Sequence, residues 1–332
     1  MKILSIIGTR PQYIKIKPIF DFCKKNKIFH YIVDTRQHYS YNVSGALIED
    51  LGLEINHSLS VSNKDELDFI AECTQSIRDV LKRVAPDVVL VYGDTNSTFC
   101  ASLAAYKLGI EIIHIEAGER CFNNSVPEEV TRVFVDGISK FNFCSSREAV
   151  LNLTNGIYCG DLEYELLNNI NPDVSIGDFG VMTIHRKANS SKERIKEIFD
   201  FCKNVPSEIK LFAHHSIKHL IKDGTPENIT VYDSCSYTEM VKQMSSCRFI
   251  ITDSGSIQKT SAFFGKRTLV MRKNSEWKGT EKSGFSKLAL LGEEDLSWVM
   301  SEGPDRDVNF YLDGLNERAP SSIIISTILG ER

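Results

Sequence analysis

Three carboxylates stand where a chain could use them to move protons. Asp94 and Glu116 each come directly after an apolar run, and Glu128 lies in Pro127-Glu128-Glu129 at the head of a helical stretch. The run at residues 87–92 has the apolar character of a strand buried on both faces of a parallel sheet, and residues 110–115 read as the next strand. In open α/β sheets ligands sit beyond the carboxyl ends of the strands, so Asp94, Glu116 and Glu128 are expected to face one crevice. Acids that share a cleft can have their protonation states pushed apart by burial and by one another, as acid/base catalysis needs. Taken singly they have plainer readings. Asp94 reads equally well as a helix cap, and Glu128 as an acid placed against the positive end of a helix dipole.

Other strand ends carry groups suited to an anion. Arg10 and Lys15 follow the first strand in Thr9-Arg10-Pro11-Gln12, with Pro11 fitted to a first helical turn. Gln37 and His38 leave the second strand. His185 follows a strand at 179–183, and Asp253-Ser254-Gly255-Ser256-Ile257-Gln258 turns from a strand into a helix, presenting backbone N–H groups to an anion such as a diphosphate. An ordinary βα turn is the alternative there. No G-x-G-x-x-G follows the first strand, so no nicotinamide cofactor is expected. His215 and His219 have helical spacing but no evident acidic third ligand, and no metal is expected.

These strand ends need two α/β units to carry them. The chain has 332 residues, enough for two domains. Its 42% hydrophobic and 25% charged content is that of a globular protein. A net charge of -5 without a long basic run argues against nucleic-acid and membrane-surface partners. Nine cysteines without a C-x-x-C pair fit reduced, buried thiols. The opening MKILSIIG runs straight into a strand rather than a signal peptide, so a cytoplasmic location is expected. The βα rhythm runs through 1–161 and restarts at about 162, giving two Rossmann-like α/β/α domains that face a central cleft. Helices are expected at 42–53, 65–84 and 191–203, with a polar loop at 272–280. A last helix at about 321–329 (within a C-terminal 318–332) should pack back on the first half.

The motifs at these residues are similar to those of the non-hydrolysing UDP-N-acetylglucosamine 2-epimerase family over nearly the whole chain. They are GTRPQYIK (Gly8 to Lys15), RQHY (Arg36 to Tyr39), GDTNST (Gly93 to Thr98), EAGERCFN (Glu116 to Asn123), PEEVTR (Pro127 to Arg132), IHR (Ile184 to Arg186) and TDSGSIQ (Thr252 to Gln258). The resemblance implies a GT-B-like fold, a homodimer, and inversion at C2 of a UDP-linked 2-acetamido sugar without a cofactor. It makes Asp94, Glu116 and Glu128 the acid/base groups. Lys15 is then a supporting cation, and Arg10, His185 and the Ser254 turn hold the departing diphosphate. Gln37, His38, Arg132, His215, Asp253, Ser254, Gly255, Ser256, Gln258 and Glu276 are the further binding residues expected with them.

The chain departs from the family pattern at several points. Gln12 stands where many members have Glu, Lys259-Thr260 where most have Glu-Glu, and Ala188 where an acid is usual. The arginine-proline-glutamine run, Lys259 and Glu276-Trp277 resemble the branch acting on UDP-2,3-diacetamido-2,3-dideoxyglucuronic acid, which serves surface polysaccharide synthesis. Three alternatives stay open: a hydrolysing 2-epimerase releasing free sugar and UDP, a GT-B glycosyltransferase, and a non-catalytic sugar-nucleotide binder.

Overall fold

The computed structural model describes residues 1–37, 44–62, 65–170, 172, 174–222, 224–274, 278–304 and 318–330. The chain divides into two compact units, one of Met1–Asn169 with Asn309–Arg332 and one of Ile170–Val308. Helix Leu162–Ile170 therefore goes with the first unit rather than opening the second.

The first unit is built on seven strands: β1 (Lys2–Ile7), β2 (Phe29–Asp34), β3 (His57–Ser58), β4 (Val88–Tyr92), β5 (Glu111–Ile115), β6 (Phe141–Cys144) and β7 (Gly156–Tyr158). They pair in the order β3-β2-β1-β4-β5-β6-β7, and every pairing is parallel. Helices on both faces explain why β4 is buried at every residue and why its sequence does not alternate. One core joins Leu4, Ile6, Val89 and Val91 of the strands to Phe69, Ile77 and Leu81 of helix Glu66–Val84. Asp65 caps that helix through the Leu67 and Asp68 amides. Helix Asn96–Lys107 is buried on most sides, through Ser97, Thr98, Cys100, Ala101 and Ala104, because helices Glu66–Val84 and Pro127–Ile138 flank it. The C-terminal helix Pro320–Leu329 lies on helix Arg10–Lys25, and the buried Glu165 side chain accepts from the amide and hydroxyl of its Ser321.

The second unit repeats the plan with β8 (Phe179–Thr183), β9 (Glu208–Phe212), β10 (Ile229–Tyr232), β11 (Phe249–Thr252), β12 (Arg267–Val270) and β13 (Ser286–Leu288), ordered β10-β9-β8-β11-β12-β13. Its pairings are again parallel. Gly180 is required where β8 meets β11, since a Cβ there would lie 2.2 Å from the Phe249 ring. β10 and helix Tyr237–Ser246 have no counterpart in the sequence reading: the strand is exposed at its last three residues, and so lacks an apolar run. The polar stretch 272–280 is not all loop, because helix Lys278–Lys282 begins within it. Within the helix expected at 42–53 lies the short helix Ala46–Asp50, residues 42 and 43 falling outside the described residues.

In both sheets the strand order reverses at one place, between β1 and β4 in one and between β8 and β11 in the other. At such a switch point the flanking loops run opposite ways and leave a crevice at the strand ends. The candidate residues cluster at these two places.

Candidate active site

In the first unit, β1, β2 and β4 bring their loops close together. Gly8 has no room for a side chain, since a Cβ would stand 1.9 Å from Thr35 Oγ1 and 2.6 Å from Ser97 Oγ. Gln12 ties two of the loops. Its Oε1 accepts from the Gly8 and Thr9 amides at 2.8 and 3.1 Å, and its Nε2 donates to Tyr92 O at 2.7 Å and Thr95 Oγ1 at 3.0 Å. A carboxylate could not donate to the Tyr92 carbonyl, so the neutral amide suits this position. Gln37 accepts from the Ser97 amide at 2.9 Å and hydroxyl at 2.7 Å. Arg10 is exposed at the start of its helix.

Each of two candidate acids has a cation. Lys15 Nζ is paired with Glu116 Oε2, the side chains 13% and 29% exposed. Arg132 Nε donates to Asp94 Oδ2 at 2.8 Å, and its Nη1 reaches Glu129 Oε2 at 3.0 Å. Asp94 and the exposed Glu128 together line a recess of about 530 Å³ with Gln37, Asn96 and Thr131. Glu116 comes from the neighbouring strand end, its Oε2 lying 3.3 Å from where a Cβ on Gly93 would be. Its own backbone is left-handed, φ 67°, a conformation uncommon outside glycine.

In the second unit Asp253 is the organiser. It is fully buried, and its carboxylate accepts from His185 Nδ1 at 2.9 Å, from the His185 and Arg186 amides at 3.1 and 2.9 Å, and from Asn189 Nδ2 at 3.0 Å. Burial pushes this carboxyl up, but the hydrogen bonds from His185, Asn189 and Arg186 outweigh it and hold it below the usual range. The His185 ring is 40% exposed. Ser254 stands at the N-cap position of helix Gly255–Phe263, its hydroxyl 3.1 Å from Ser256 Oγ rather than on a backbone amide of the helix, and Gln258 Nε2 donates back to Ser254 O at 3.3 Å. Thr260 Oγ1 lies 3.1 Å from Ser256 O within the same helix. His38, Glu276 and the His215 side chain lie outside the described residues. Among the described residues no group of three or more His, Cys, Asp or Glu could hold a metal ion.

Several supporting residues went unread in the sequence. Glu129, 2% exposed, accepts from the Cys121 and Phe122 amides at 2.9 and 3.1 Å as well as from Arg132. Burial acts to raise its carboxyl, yet those bonds hold it below the usual range. His114 and Asp136 form a buried pair at 2.6 Å, with Arg120 Nη2 2.6 Å from the second Asp136 oxygen. The spacing of Glu129 and Arg132, three apart on a helix, could have pointed to the first of these. Nothing local pairs His114 with Asp136, which are joined only by the fold.

Among known proteins the chain is similar to a UDP-N-acetylglucosamine 2-epimerase homolog of Methanococcus maripaludis, 32% identical over 89% of this chain and 90% of that one. It is also 32% identical to the UDP-2,3-diacetamido-2,3-dideoxy-D-glucuronate 2-epimerase of Pseudomonas aeruginosa, over 83% of this chain and 85% of the other. The solved UDP-GlcNAc 2-epimerase of Methanocaldococcus jannaschii superposes with a TM-score of 0.83 at 26% identity, covering 99% of this chain and 100% of that one. The expected pair of GT-B-like α/β domains is thus shared with a solved relative. Residues 21–302 match the UDP-N-acetylglucosamine 2-epimerase family, and the chain belongs to it.

Proposed function

We propose that this protein inverts C2 of a UDP-linked 2-acetamido sugar, either the GlcNAc/ManNAc pair or a 2,3-diacetamido uronate, by eliminating UDP and adding it back. The C2 hydrogen is not next to a carbonyl, so a carboxylate cannot remove it directly. When the C1–O bond breaks, UDP departs with the electron pair and leaves an oxocarbenium that acidifies C2–H. A carboxylate then takes that proton, and the C–H electrons become the C1=C2 bond of a glycal. Protonation at C2 from the opposite face and return of UDP to C1 give the epimer. Two acid/base groups on opposite faces are needed. Asp94, Glu116 and Glu128 are assigned here, with Lys15 and Arg132 as counter-charges. The diphosphate is assigned to His185 and the amides at Ser254 to Ser256, with Arg10 as a further cation.

The observation that carries this reading is the pairing of Asp94 and Glu128 in one recess at a sheet switch point, with Glu116 at the adjoining strand end. The likeness to the Pseudomonas enzyme supports the diacetamido uronate, and with it a role in surface polysaccharide synthesis. A homodimer working in the cytoplasm completes the proposal. Among the described residues no helix is long and apolar enough to cross a membrane.

The test is proton NMR in deuterated water with a panel of UDP-linked 2-acetamido sugars. Deuterium at C2 of an intact, epimeric UDP-sugar is expected. Free sugar and UDP would replace the reading with hydrolysis. Transfer to an added acceptor would replace it with glycosyl transfer, and binding without exchange with a non-catalytic role.

A further inference from the structure

The strand ends that carry Asp94 and Glu116 are joined behind the recess by one buried pair. His114 is the fourth residue of β5 and has no exposed surface. Its Nδ1 lies 2.6 Å from Asp136 Oδ1 and its Nε2 lies 2.9 Å from the carbonyl oxygen of Gly93, the residue before Asp94. Asp136 spends its other oxygen on the Gly118 amide at 3.2 Å and on Arg120 at 2.6 Å.

A carbonyl oxygen can only accept, so Nε2 must carry a hydrogen. Were the ring neutral, Nδ1 would then turn a lone pair toward a carboxylate oxygen 2.6 Å away. That contact is repulsive unless a proton lies between the two groups. The second Asp136 oxygen meets the Arg120 guanidinium at 2.6 Å and the Gly118 amide at 3.2 Å, and a cation and a donor so placed favour the ionised carboxylate. The shared proton therefore sits on the ring.

The backbone around the pair needs such an anchor. Gly93 is left-handed, φ 65°, its amide donating to Ile115 O at 2.9 Å while its carbonyl meets His114. Glu116 holds φ 67° and Gly118 φ 80°, with the Ala117 amide bonded to Phe143 O at 3.0 Å between them. A left-handed non-glycine residue persists only where its surroundings over-determine it. Bonds from Gly93, Ala117 and Gly118 do so on both sides of Glu116.

We propose that His114 is a positioning residue, held as an imidazolium whose two N–H groups fasten the Asp94 loop and, through Asp136, the Glu116 loop into one geometry. Its catalytic consequence rests on the epimerase reading; its charge state does not. The first measurement is the ¹⁵N NMR signature of the His114 ring in the ligand-free protein at neutral pH. Two protonated-type nitrogens, each coupled to its own hydrogen, are expected. One protonated and one bare nitrogen would place the proton on Asp136 and overturn the proposal.

The second measurement is steady-state C2 exchange by His114→Gln, which leaves Asp136 paired with Arg120. Small misplacement of reacting groups can cost about 10²-fold in rate, so kcat should fall about 10- to 100-fold while KM changes less than about threefold. An unchanged kcat, or a rise in KM alone, overturns the positioning role. A second variant, His114→Asn, likewise keeps the Asp136–Arg120 pair and guards against a fault peculiar to glutamine; it should show the same split. Absence of exchange in the wild type would sink the epimerase reading, and the ring spectrum would still decide the state of His114.

Discussion

Each unit sets a histidine against an aspartate near its switch point, and the two pairs differ in one respect. His114 and Asp136 are 0% and 3% exposed, and both ring nitrogens are taken up by the protein. Asp253 is equally buried, but the ring of His185 is 40% exposed and Asp253 takes only its Nδ1 side. The same two residue types thus give a brace in one unit and a presented imidazole in the other. What decides is whether the second nitrogen meets protein or solvent. The surrounding charges follow suit. The first unit leaves Glu116 and Asp94 partly buried and steadies them with Lys15 and Arg132. The second buries its acid and uses it to gather the backbone amides of His185 and Arg186.

The comparison breaks most visibly at the acids. Asp94→Asn and Glu116→Gln are expected to lower C2 deuterium incorporation about 10²- to 10⁴-fold, the range for loss of a general acid or base. Calorimetric titration with UDP should show affinity within about threefold of the wild type, because the diphosphate is assigned to the other unit. Near-normal exchange in either variant would remove that carboxylate from the chemistry. His185→Gln should be milder, lowering kcat about 10- to 10³-fold as for a lost donor to developing charge. If it alters UDP affinity alone and not kcat, the exposed ring binds the ground state and the contrast with His114 loses its catalytic side.

Asp253→Asn tests the buried acid. Asparagine offers one acceptor oxygen to donors that now share two, and turns an NH₂ toward them, so urea unfolding should show a loss of about 1–3 kcal/mol at pH 7. The folded carboxyl is depressed by its bonds, so its contribution is present above the unfolded value of about 4 and fades as pH falls through the folded one. The wild type should therefore lose more stability than the variant between pH 5 and about pH 3. Parallel acid limbs would mean that the hydrogen bonds hold without the charge.

Much of this was legible beforehand, for a definite reason. A parallel strand buried on both faces leaves an unbroken apolar run, as in β4, and the polar residues that follow it mark the strand end, as at Asp94. What stayed hidden lacks that signal. β10 carries exposed residues at three of its four positions. Helix Tyr237–Ser246 buries only Val241, Met244 and Ser245. Asp136 lies inside helix Pro127–Ile138 and reads as a solvated charge until β5 is laid beside it. Arg132 stood out as a candidate, but its engagement with both Asp94 and Glu129 needs the loop that Glu129 folds.

The smallest effect comes from a buried acid of the opposite kind. Glu165 is 8% exposed and accepts from the amide and hydroxyl of Ser321, at the first turn of the C-terminal helix. Burial raises this carboxyl; the Ser321 bonds lower it, and the charge of Asp21 raises it further, with a net shift upward. A carboxyl raised in the fold contributes most below its unfolded value of about 4.3, and that part is lost as pH rises through the folded value. A negative charge at a helix N-terminus is favourable in its own right by about 0.3–1 kcal/mol, which works against the loss. Glu165→Gln should therefore change stability at pH 7 by no more than about 1 kcal/mol. Amide exchange of residues 321–329, corrected for intrinsic rates, should then show wild-type protection weakening from pH 4.5 to pH 7.5 and the variant's protection staying level. If the variant instead frays at both pH values, the dipole outweighs burial, and Glu165 belongs with the acids that the fold keeps charged.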